Sequence, residues 1–119
     1  MDNREFDKFV TYFHSMSTFS KQIIGFLESL ELRIKLPEGI REMNPYLEPE
    51  VKKIVEAFYT KYYFDNDRRN LILAINPGRL GAGATGVPFT DTKRLYDVCE
   101  INPGISETHE PSSVFVYEM

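Results

Sequence analysis

Five aliphatic residues in a row, Leu71-Ile72-Leu73-Ala74-Ile75, run directly into Asn76-Pro77-Gly78. A run that is apolar at every position has no polar face to give to water, so it predicts a strand covered on both sides, of the kind found in parallel sheets. Such a strand cannot stand alone. Its backbone N–H and C=O groups need neighbouring strands, and its two faces need helices. The run therefore predicts an α/β layered fold with helices on both sides of a sheet. In such folds ligands bind beyond the carboxyl ends of the strands, and the Asn-Pro-Gly turn lies there.

The flanking sequence supplies helices. Phe6, Phe9, Val10, Phe13 and Met16 recur at helical spacing. Ser17, Thr18 and Ser20 then offer capping chemistry before a second stripe of Ile23, Ile24, Leu27 and Leu30. Leu32, Ile34 and Leu36 alternate with Arg33 and Lys35, as in a short strand or extended segment. Pro37, Gly39, Asn44 and Pro45 mark a loop, and Pro49 suits the first position of a third helix with the face Val51, Ile54, Val55, Phe58 and Tyr62. Asp65-Asn66-Asp67 reads as a polar turn. Beyond the aliphatic run, a glycine-rich loop extends to Thr90. Short helices are predicted from Thr92 to Cys99 and from Glu110 to Met119, the latter with Pro111 in its first turn. The reading is one domain over 1–119, with a mainly helical front (1–69) and a strand, loop and helix segment (70–119).

Composition excludes several classes. Among 119 residues there are 14 Lys and Arg against 18 Asp and Glu, a net charge of -4, which rules out a broadly basic nucleic-acid glove but not a local patch. Cys99 is the only cysteine, so neither an internal disulfide nor a cysteine-based zinc site can form. No apolar run approaches the length of a membrane span and the first residues have no leader-like segment, so the expected setting is cytoplasmic and reducing. His14 on the first helix and His109 in a loop stand too far apart in sequence to suggest a metal pair.

Gly81-Ala82-Gly83-Ala84-Thr85-Gly86 matches the letters of the dinucleotide fingerprint G-x-G-x-x-G. Its context does not fit, because Asn76 to Leu80 separate it from the strand and Pro88 disfavours a following helix. A dinucleotide-binding oxidoreductase is accordingly a remote alternative.

A longer pattern is more specific. Leu73-Ala74-Ile75-Asn76-Pro77-Gly78, followed by Thr85-Gly86-Val87-Pro88-Phe89, resembles the first active-site motif of the uracil-DNA glycosylase superfamily. It is most similar to the branches with Asn in that motif, the mismatch-specific and the single-strand-selective (SMUG-like) glycosylases. Ala74 stands where the motif usually carries Gly.

The resemblance implies an N-terminal portion of a three-layer α/β/α domain and a partner, DNA containing uracil or a related base. It implies base flipping and hydrolysis of the N-glycosidic bond without metal or cofactor. By the same resemblance Asn76 is the catalytic, water-positioning residue, Ile75 and Gly78 line the substrate turn, and Phe89 is the platform on which the base stacks. Arg79 and Thr85 are lesser candidates, for a phosphate contact and a turn cap. The alternative is a nucleic-acid-binding module of the same fold without chemistry. Because one strand is legible and the family's later His-containing motif is not, the expectation is a truncated, inactive piece. Its absent strands would then come from another copy of the chain, or the fold would be largely helical with a sheet remnant.

Overall fold

The computed structural model describes residues 3–5, 7 and 17–119. The expected first helix, with Phe6, Phe9, Val10, Phe13 and Met16, and His14 with it, lie outside the described residues.

From Phe19 on, five helices follow one another: α1 (Phe19–Glu28), α2 (Pro49–Tyr62), α3 (Ala82–Thr85), α4 (Thr92–Asp97) and α5 (Pro111–Glu118). A 3₁₀ turn at Pro45–Leu47 precedes α2. The caps are those the sequence offers. Thr18 Oγ1 accepts the Lys21 N–H at the start of α1, and Pro49 and Pro111 occupy first turns, where the missing N–H is no loss. Two other first-turn donors of α1 reach the exit of α2: Phe19 N–H to Asp65 O at 2.9 Å and Ser20 N–H to Tyr63 O at 2.8 Å. The Arg69 guanidinium lies over both the Phe19 and Tyr63 rings, at 5.0 and 4.9 Å from their centroids, and pairs with Asp65 at 2.9 Å.

The central element is α2, which buries two faces. Val51, Val55 and Tyr59, one helical turn apart, pack against Ile23, Ile24 and Leu27 of α1. Ile54 packs on the other side with Val87 and Leu95, joining α2 to the glycine-rich loop and α4. Burial follows the expected face except at its end: Tyr59 is buried, while Tyr62 is exposed.

The strand expected at Leu71–Ile75 is not formed. Among the described residues there is no β-strand, and the aliphatic run is exposed: Leu71 by 82%, Ile72 by 72%, Leu73 by 83% and Ile75 fully. A strand is held by its neighbours, and among the described residues there is no other strand to share ladder bonds with this run. Leaving four large aliphatic side chains in water forgoes on the order of 6–12 kcal/mol of burial. Leu32 to Leu36 likewise forms no strand and exposes Leu32 and Ile34. The observed architecture is helix-rich, and the sheet layer of the expected three-layer α/β/α arrangement is not formed among the described residues. No helix among them is long and apolar enough to cross a membrane.

Candidate functional site

The glycine-rich segment is a tightly hydrogen-bonded knot. Gly78 O accepts the N–H groups of Gly81 at 3.1 Å and Gly83 at 2.8 Å, tying the Asn-Pro-Gly turn to the start of α3. Gly81 O accepts from Ala84 and Thr85, and Ala82 O from Gly86. Contrary to the sequence expectation, Gly81 does open a helix, but α3 is a single turn stopped by Gly86 in the left-handed region. The Gly81, Gly83, Ala84, Thr85 and Gly86 amides are used within the knot and are not directed at a phosphate, which argues against the dinucleotide reading.

Gly86 is required twice over. Its φ is +75°, and a Cβ there would stand 2.6 Å from Val55 Cγ2 and 2.7 Å from Val51 Cγ1. This close approach seats the loop on α2, reinforced by the Tyr46 hydroxyl donating to Gly86 O at 3.3 Å.

Thr85 is far more than a cap. It is completely buried, and its Oγ1 accepts the Val87 N–H at 3.1 Å. Its single hydroxyl proton is shared among Gly81 O, Val87 O and Thr90 O at 3.0, 3.2 and 2.9 Å. These bonds bracket Phe89, whose φ of +54° is uncommon for a residue with a side chain. Thr90 Oγ1 donates to Pro88 O at 2.9 Å, and the Tyr117 hydroxyl lies 2.9 Å from Thr90 Oγ1. Since the Thr90 proton is committed to Pro88, Tyr117 donates. Burial pushes the Tyr117 hydroxyl pKa well up, keeping it protonated for this role. The peptide groups on both sides of Phe89 are thus pinned, and the ring is held half-buried on a groove of about 850 Å³ with Phe58, Tyr62, Leu71, Ile72 and Tyr117 among its walls.

The other expected site residues stand apart from that groove. Asn76 is exposed, with its Nδ2 donating to Pro77 O at 3.2 Å, and Ile75 is fully exposed beside it. Gly78 is half-buried beneath the Glu110 carboxylate. The turn and the Phe89 loop are therefore joined through the Gly78–Gly83 knot, but Asn76 and Phe89 do not share a wall of the groove. Of the basic side chains near the loop, Lys93 pairs with Asp97 at 2.8 Å, Arg94 approaches Asp91 at 3.5 Å, and Arg79 is exposed. Among the described residues no group of three His, Cys, Asp or Glu could hold a metal ion.

Asp91 is the residue the sequence reading missed. Its carboxylate is wholly buried, caps α4 through Arg94 N–H at 2.9 Å, and accepts Glu110 N–H at 2.9 Å and Ser113 Oγ–H at 2.8 Å. Burial alone would raise its pKa. The Glu110 and Arg94 amides, the Ser113 hydroxyl and the Arg94 guanidinium outweigh burial and hold it below the usual carboxylate value. His109, an exposed loop residue as expected, brings Nδ1 to 3.6 Å from the same carboxylate. A helix-capping Asp before Thr92-Lys93-Arg94 was a visible signal, but its distant partners were not.

No protein-family model matches the chain, and no curated protein matches it. A search of solved structures finds SMUG2 of Pedobacter heparinus, 54% identical, with a TM-score of 0.77 over 87% of this chain and 45% of that chain. The chain thus spans less than half the length of the protein it matches. At that identity the likeness extends to sequence as well as fold, and it falls on the branch that the Asn-Pro-Gly and Thr-Gly-Val-Pro-Phe elements resemble. Over the part that it matches, the chain is similar to SMUG2, a member of the uracil-DNA glycosylase family.

Proposed function

We propose that this chain carries the first-motif part of a three-layer α/β/α glycosylase domain that hydrolyses the N-glycosidic bond of uracil or a related base in DNA. The observation that carries the reading is the 54% identity to SMUG2 over 87% of the chain. The exposed aliphatic run supports the sheet: Leu71 to Ile75 has the composition of a doubly covered strand and lacks only its neighbours.

The chemistry follows from the residue types. A base inside a stack must be flipped out, and Phe89 offers the aromatic face to receive it. Departure of the base leaves oxocarbenium character on the sugar and negative charge on the base oxygen. Backbone N–H groups of Ile75, Asn76 and Gly78 are the donors for that charge, while Pro77 has none. Asn76 orients the attacking water through its side-chain oxygen but is no base, so catalysis leans on leaving-group stabilisation. Arg79 is the candidate phosphate contact.

A binding role without turnover is the second reading, favoured by the separation of exposed Asn76 from the groove of Phe89. The test is affinity for single-stranded oligonucleotides with and without a non-hydrolysable uracil nucleotide. The proposal expects preference for the uracil-bearing oligonucleotide and loss of that preference in Phe89→Ala. Equal affinity for both oligonucleotides in the unmodified chain contradicts it.

A further inference from the structure

The turn that carries Asn76 is backed by a carboxylate from a distant part of the chain. A Cβ at Gly78 would run into Glu110 Oε2, and one at Gly81 would stand 2.9 Å from Glu110 Cγ. Gly78 is not in the left-handed region, so its backbone does not call for glycine. What its missing side chain permits is the approach of Glu110. Glu110 is itself fixed at three points. Its N–H is held by buried Asp91, its C=O shares the Ser113 hydroxyl proton with Asp91 Oδ2 and lies 2.6 Å from Ser113 Oγ, and its Oε1 accepts the Ser112 hydroxyl at 2.8 Å. Asp91 directly follows the Thr85–Thr90 knot that pins Phe89. One continuous path of hydrogen bonds and close packing therefore runs from the Phe89 loop through Asp91 and Glu110 to Gly78, two residues from Asn76.

Resting on the glycosylase reading, we propose that Glu110 is a positioning residue: by filling the space left by Gly78 and Gly81, it sets where the Asn76 turn stands relative to the Phe89 platform. The effect is one of shape and anchoring, not of charge. Gln, which keeps the length and the Oε1 acceptor for Ser112, should replace it, whereas Ala should not. Gly78→Ala should act like Glu110→Ala, because the new methyl evicts the carboxylate end, a flexible group that can swing away.

The experiment compares Glu110→Gln, Glu110→Ala, Gly78→Ala and the Gly78→Ala/Glu110→Ala double variant of this chain. Amide NMR spectra and affinities for oligonucleotides with and without a non-hydrolysable uracil analogue are read together. Both single Ala variants should move the same resonances, the Asn76 side-chain amide included, and the double variant should add nothing further, as for two changes at one contact. Affinity for the analogue should fall roughly tenfold in each Ala variant, with plain DNA unaffected and Glu110→Gln near the unmodified chain. Additive effects, an unmoved Asn76 amide, or a Gln variant as impaired as Ala overturns the proposal. If Glu110→Ala does not fold, Gly78→Ala against Glu110→Gln decides it. If the unmodified chain shows no preference for the analogue, the glycosylase reading fails, while the spectra still decide the role of Glu110.

Discussion

Asp91 Oδ2 accepts the Ser113 hydroxyl at 2.8 Å across 22 residues of sequence, with neither side chain reached by solvent. This bond fastens α5 to the end of the loop that presents Phe89. Asp91→Ala leaves the Glu110 N–H without its acceptor and the Ser113 hydroxyl with the Glu110 carbonyl alone, and it removes the α4 cap. The expected cost is about 2–3 kcal/mol, a fall in Tm of roughly 10 °C by calorimetry.

The same residue fixes a pH dependence. The folded-state carboxyl of Asp91 is held below its ordinary value. Its contribution is therefore complete above the unfolded-state pKa of about 4 and is lost as pH falls through the lower folded value. The stability gap between the unmodified chain and Asp91→Asn should be constant near neutrality and shrink below about pH 4. A gap that widens on acidification contradicts this sign.

Thr85→Val tests the knot behind Phe89. The shape is kept, but the Val87 N–H loses its acceptor, and the carbonyls of Gly81, Val87 and Thr90 lose the proton they share. A loss of about 1–3 kcal/mol in chemical denaturation is expected, with Thr85→Ser much milder. An undisturbed Thr85→Val would mean that Thr90–Tyr117 alone holds the loop.

What the sequence disclosed was local, and what it hid was nonlocal. The caps at Thr18, Pro49 and Pro111 and the apolar stripe of α2 depend on residues within a turn or two, and they appear where periodicity puts them. Leu71 to Ile75 has the composition of a buried strand but forms none, because strand formation depends on partners that the run itself does not contain. The turn at Asn76 and the loop at Phe89 were legible as two short elements at a characteristic spacing. Asp91 and Glu110 were not, since their partners are set by tertiary packing and no spacing rule links Glu110 to Gly78. The short helix α3 escaped notice because glycine and alanine carry no periodic signal.

The exposed aliphatic run makes its own prediction. Leu73→Lys should change folding stability by less than about 0.5 kcal/mol, the usual effect at an exposed site. It should also lower the binding of a hydrophobic dye and any concentration-dependent association seen by light scattering, since an unpaired apolar edge invites pairing. A loss of several kcal/mol would mean that Leu73 is covered in solution.

The most direct measurement of the central claim is uracil release by a chimera in which this chain replaces the part of Pedobacter heparinus SMUG2 that it matches. The account predicts release of uracil from a uracil-containing oligonucleotide. In Asn76→Ala, turnover should fall by about a hundredfold, on the order of 3 kcal/mol in the barrier, with binding little changed. A folded chimera that binds the oligonucleotide yet releases no uracil, or one whose turnover is indifferent to Asn76, contradicts it.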